Sequence, residues 1–122
     1  MQKNPVGWFE IYVQDMERAR AFYENVFRVT LNKLNSPLDM WGFPMTMGSM
    51  GAAGSLVRMP GVPSGGNSVL VYFSCEDCEE EEARVKAFGG RIERPKMSVG
   101  EYGFVTLAID TEGNMFGLHS LQ

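Results

Sequence analysis

The chain repeats itself. Sliding the 122-residue sequence along its own length by 62 positions superposes Asp15 on Asp77, Glu17 on Glu79, Ala21 on Ala83 and Val26 on Phe88. The same offset later puts Gly51 on Gly113 and Leu56 on Leu118, and an offset of 61 puts Gly42-Phe43 on Gly103-Phe104. A duplication is the economical explanation. It restricts the fold to architectures built from two like supersecondary units that stack to bury what neither can bury alone.

Within each unit the pattern predicts a strand, a helix and three further short strands. Gly7 to Val13 reads as the first strand, and Asp15 sits where an N-cap belongs. Ala19, Phe22, Tyr23, Val26 and Phe27 then follow the i, i+3, i+4, i+7 spacing of an amphipathic helix. In the second unit Val69 to Cys75 is the strand and Asp77 the cap. Glu79 to Glu82 crowd the positive end of the helix dipole, Cys78, Val85 and Phe88 form the apolar face, and Gly89-Gly90 supply a left-handed stop. Short strands are expected near 30–34, 41–47 and 53–59, then near 91–94, 104–109 and 115–121. The stretch MPGVPSGGNS, with Pro60, Pro63 and Gly65-Gly66, breaks helix and strand and joins the units. This order argues for an α+β domain over 1–122, with βαβββ modules at about 5–59 and 67–122. The absence of a Gly-rich turn at either helix start argues against a Rossmann fold.

Hydrophobic residues make up 44% of the chain and charged residues 21%, which suits a globular core. The net charge is −4 and the pI near 5.0, with Lys and Arg scattered, so the basic footprint of a nucleic-acid binder is missing. No apolar run is long enough to span a membrane, and MQKNPVGWFE lacks the apolar core of a signal peptide. A cytoplasmic location is expected, in keeping with only two cysteines, Cys75 and Cys78. Their C-E-D-C spacing invites a redox reading. The surrounding Glu76, Asp77 and Glu79 to Glu82 oppose thiolate formation, leaving packing for Cys75 and partial exposure for Cys78 as the expectation.

The segments VGWFEIYVQDMERARAFY and DTEGNMFGLH resemble the opening strand-helix and closing hairpin of the glyoxalase / bleomycin-resistance / extradiol dioxygenase (vicinal oxygen chelate) superfamily. The likeness is nearest to the branch of predicted enzymes related to lactoylglutathione lyase, and it covers nearly the whole chain. It implies two tandem βαβββ modules forming a curved mixed sheet around a cup-shaped cavity, a small-molecule ligand and a homodimer. It also implies four positions for the ligands of a divalent metal, which in this chain are Trp8, Leu70, Ser55 and Gly117. None of these supplies imidazole, carboxylate or thiolate. No cofactor is therefore expected, and a divalent metal only through atypical ligands. That departure argues against the glyoxalase I and extradiol dioxygenase reactions, since a fold can persist where its chemistry does not.

Side chains alternate along a strand, so Trp8, Glu10 and Tyr12 share one face while Phe9, Ile11 and Val13 take the other. By the same parity Met115, Gly117 and His119 lie together, as do Leu70, Tyr72 and Ser74. With the superfamily arrangement, Glu10 and His119, the single histidine, both face the cavity and converge across it. They are the catalytic candidates, as an acid/base pair or a shifted metal site. The alternatives are a structural ion pair and an exposed terminal histidine. Ligand-binding candidates are Trp8, Tyr12, Tyr72, Trp41 and Met115, with Trp8 placed to stack on a planar ligand. The segment MWGFPMTMGSMG suits an apolar pocket, a self-association face or ordinary core. Asp110 to Asn114 reads as a hairpin turn without chemistry. Three functions stay open: a glyoxalase-like small-molecule-binding protein or enzyme without the usual metal ligands, a non-catalytic binder of an aromatic or apolar compound of the bleomycin-resistance type, and a metal-dependent lyase or dioxygenase with atypical ligands.

Overall fold

The computed structural model describes residues 4–122; residues 1–3, part of the opening stretch read above for a leader, lie outside the described residues. The first module runs β1 (Trp8–Tyr12), α1 (Met16–Phe27), β2 (Asn32–Lys33), β3 (Asp39–Gly42) and β4 (Ala53–Arg58). The second runs β5 (Tyr72–Ser74), α2 (Cys78–Ala87), β6 (Arg91–Ser98), a 3-10 turn at Gly100–Tyr102, β7 (Phe104–Ile109) and β8 (Met115–Ser120). Each module hydrogen-bonds within itself into a four-stranded mixed sheet, ordered β1-β4-β3-β2 and β5-β8-β7-β6. In both, the first strand pairs parallel to the last, with Glu10 opposite Ser55 and Ser74 opposite His119. The α+β class and the duplicated βαβββ order are those the sequence predicts.

The strand ends differ from expectation for local reasons. β3 stops at Gly42 because Pro44 follows: it has no N–H to give the ladder, and the Phe43 N–H bond to the Gly54 carbonyl at 3.0 Å is the last before it. β6 continues to Ser98 despite Pro95, because register shifts between Ile92 and Arg94 and between Arg94 and Met97 bulge the proline out of the ladder.

Both helices start as predicted. Asp15 accepts a hydrogen bond from the Arg18 N–H and Asp77 one from the Glu79 N–H, each at 3.0 Å. α2 ends ahead of Gly89, whose φ of 99° only glycine adopts without strain. α1 buries Met16, Ala19, Phe22, Tyr23 and Val26, whereas α2 buries only Cys78 and Val85. One core serves both modules: Tyr23 sits 5.6 Å from Phe43 and 5.7 Å from Phe116, and Phe27 stacks on Phe73 at 4.4 Å. Each fully buried ring contributes roughly 2–3 kcal/mol, so this cluster holds the halves together.

The cysteine expectation is reversed. Cys78, the first helical residue, faces inward and is fully buried, with its Sγ 3.2 Å from the Ser120 hydroxyl, while Cys75 at the end of β5 is the partly exposed one. Burial and the nearby Glu81 push the Cys75 thiol up to about 12, which removes it from thiolate chemistry.

Candidate functional site

β1 and β5 are the outer strands of their sheets, and a cleft of about 620 Å³ opens between them. One wall carries Trp8, Glu10 and Tyr12; the other carries Leu70, Tyr72 and Met115. Alternation puts Trp8, Glu10 and Tyr12 on one face of β1, while Phe9 and Ile11, packed on the core, border the cleft from the other. The linker closes one end of the cleft. Asn67 pins it to β8, donating to the Met115 carbonyl at 3.0 Å and accepting from the Met115 N–H at 3.1 Å.

Glu10 is exposed in the cleft, so it escapes the desolvation cost expected of a carboxylate on an apolar strand. It still finds partners on its own strand face: Tyr12 donates to Oε1 at 2.8 Å and the Trp8 indole N–H to Oε2 at 3.3 Å. This bond, with burial and the carboxylate charge adding to it, raises the Tyr12 phenol above its ordinary value. Tyr72 lies flat across Gly117, where any Cβ would collide with its ring. Glycine there is a packing requirement.

His119 is elsewhere. Its Nε2 donates to the Tyr102 carbonyl at 2.6 Å, and it does not line the cleft. Met115 enters the cleft at the start of β8, and His119, four residues on, lies roughly 13 Å further along the strand. Glu10 and His119 share the predicted sheet faces, but the structure shows no hydrogen bond between them. Trp41, expected as a ligand contact, is likewise absent from the cleft. Opposite Leu56 in the ladder, it faces the helices, half-buried against the core, with the Arg20 guanidinium 3.5 Å from its ring centre. The methionine-rich segment splits: Phe43 joins the core, while Met47 and Met50 are fully exposed.

The hairpin assigned no chemistry turns out to brace the site. The buried Tyr23 hydroxyl donates to Asp110 Oδ2 at 2.6 Å, and Asp110 Oδ1 accepts the N–H groups of Glu112 and Asn114, both at 2.8 Å. Glu112 accepts from the Gln14 and Asp15 N–H groups at 2.9 Å and from Arg18 Nε at 2.6 Å. Asn114 donates to the Tyr12 carbonyl at 2.9 Å and accepts the Gly65 N–H at 2.6 Å, so it ties the end of β1, the linker and β8 together at the cleft. Burial raises the Asp110 carboxyl despite these donors. Burial also pushes Glu112 upward, but Arg18 and the two N–H groups outweigh it and hold Glu112 down to about 2. The only sequence sign of this was three polar residues, Asp110, Glu112 and Asn114, between two apolar strands.

The residues present do not fit a divalent metal at the superfamily positions. Trp8 and Leu70 offer no donor, Gly117 is roofed by Tyr72, and Ser55 contributes one neutral hydroxyl that is buried without a partner. Among the described residues no group of three or more His, Cys, Asp or Glu could hold a metal ion.

Residues 6–118 match the family described as the Glyoxalase/Bleomycin resistance protein/Dioxygenase superfamily, and the chain belongs to it. No curated protein matches the sequence. Among solved structures, a glyoxalase/bleomycin resistance protein/dioxygenase family enzyme from Burkholderia phytofirmans superposes with a TM-score of 0.72 at 16% identity, covering 95% of this chain and 98% of that one. The FosX fosfomycin resistance protein of Listeria monocytogenes gives 0.72 at 19%, covering 98% and 92%. A glyoxalase I mutant from Zea mays gives 0.74 at 22%, covering 94% of this chain and 44% of that one. At these identities the likeness is one of fold. No helix among the described residues is long and apolar enough to cross a membrane.

Proposed function

We propose that this protein binds an aromatic or apolar small molecule in the cleft between its two modules. The observation that carries the reading is the cleft itself: about 620 Å³, within the usual size of a small-molecule site, with Trp8, Tyr12, Tyr72 and Met115 in its walls. Ring faces and a thioether suit a flat apolar body, and Glu10 supplies one oriented polar group. The test is a fragment screen read by NMR, with binders expected to move the Trp8 and Tyr72 signals and to lose affinity in Trp8→Ala and Tyr72→Ala. A screen in which no binder moves either signal defeats the reading.

A catalytic version has one observation in its favour. Among the described residues Glu10 is the only carboxylate in the cleft wall, and two donors on its own strand orient it. In that version Glu10 takes a proton from the bound molecule, and Glu10→Gln lowers turnover at saturating ligand far more than it lowers affinity. On the superfamily resemblance we also propose a homodimer, for which light scattering after gel filtration is expected to give twice 13.6 kDa.

A further inference from the structure

We infer that the molecule the cleft selects is an organic cation, an ammonium-type group carrying an apolar body; the inference rests on the small-molecule reading above and names its charge class. The argument begins with what Glu10 lacks. Its carboxylate is bonded only by two neutral donors, and among the described residues it enters no ion pair. Among the described residues no Lys, Arg or His lines the cleft, so the described wall carries one formal negative charge and no positive one. The other charged carboxylates near the cleft are already spoken for: Asp110 holds Tyr23 and two N–H groups, and Glu112 holds Arg18.

The neighbours of Glu10 reinforce the choice. Trp8 and Tyr12 each point a polar hydrogen at the carboxylate, which sets their rings on either side of it along the strand, and Tyr72 adds a third ring to the opposite wall. A carboxylate set among aromatic rings attracts a positive charge directly, and a cation that lies over one of those rings gains the pull of its quadrupole as well. An anion meets the opposite field, and a neutral ligand gains neither term. A net charge of −4 adds a weak long-range bias of the same sign.

Three probes of matched shape test this: benzyltrimethylammonium, its uncharged carbon isostere neopentylbenzene, and the anion phenylacetate. Affinities are read from the Trp8 indole N–H signal, distinguished from that of Trp41 with Trp41→Phe. Benzyltrimethylammonium is expected to bind at least tenfold more tightly than either other probe, to move Trp8 and not Trp41, and to weaken with added salt. In Glu10→Gln, which keeps an acceptor for Trp8 while removing the charge, the preference should fall to within about twofold. Equal binding of neopentylbenzene, tighter binding of phenylacetate, or a preference that survives Glu10→Gln overturns the inference and leaves the small-molecule reading in place. Failure of all three probes to move Trp8 overturns the inference as well, and the fragment screen then decides separately whether the cleft binds anything.

Discussion

In the second module the turn joining β7 to β8 is polar and buried; in the first, the connection from β3 to β4 is methionine-rich and largely exposed. The 62-residue offset makes the contrast residue by residue: Asp110, Glu112 and Asn114 fall on Gly48, Met50 and Ala52. Their partners on α1 differ in the same way, since Arg18 and Tyr23 fall on Glu80 and Val85 of α2. Two modules with the same backbone plan thus divide the labour. One hairpin locks α1, β1 and the linker into place beside the cleft, and its counterpart carries none of those bonds. Duplication fixes the architecture, while the tie between halves needs residues that only one copy possesses.

The sharpest way to break this contrast is Asp110→Ala. It strips the acceptor from the buried Tyr23 hydroxyl and from two N–H groups, and should cost about 3–5 kcal/mol in urea unfolding. A loss below about 1 kcal/mol would mean that the hairpin is not the tie.

Next in size is the acid dependence. Glu112 is held at about 2 in the folded chain against 4.5 unfolded. A depressed carboxyl stabilises fully above pH 4.5, and that stabilisation, up to about 3 kcal/mol, fades as the pH falls from there towards 2. Asp110 has the opposite sign: its raised value opposes folding as the pH climbs through and above 3.8. The stability gap between wild type and Glu112→Gln should therefore be widest near pH 6 and shrink steadily towards pH 2. A gap independent of pH refutes the assignment.

A smaller effect compares Gly117 with its repeat partner Ser55. Gly117→Ala forces the Tyr72 ring aside and should cost about 1–3 kcal/mol, together with cleft affinity. Ser55→Ala deletes a buried hydroxyl that has no partner, so stability should hold or rise slightly. Smallest of all, Met50→Ala, at the counterpart of Glu112, should change the unfolding midpoint by no more than about 0.5 kcal/mol equivalent.

Much of the fold was legible because it is written locally. The caps Asp15 and Asp77, the stripe from Ala19 to Phe27 and the alternation through Trp8, Glu10 and Tyr12 each depend on residues a few positions apart. The site was half legible. Trp8, Tyr12, Tyr72, Met115 and Glu10 reach the cleft, whereas Trp41 and His119 do not. Trp41 was read from composition, without the ladder partner Leu56 that fixes its face. His119 was read from parity, which says which face a side chain takes and nothing about how far along the strand the neighbouring module reaches.

By itself, the sequence determined the duplicated βαβββ plan, the two capped helices and the faces of the strands, because hydrophobic period and capping chemistry act over single turns and single pleats. Tertiary structure alone decided that Asp110, Glu112 and Asn114 fasten the halves. Those contacts join residues whose separation in space is set by how two sheets dock through a shared aromatic core, and no local pattern encodes that distance.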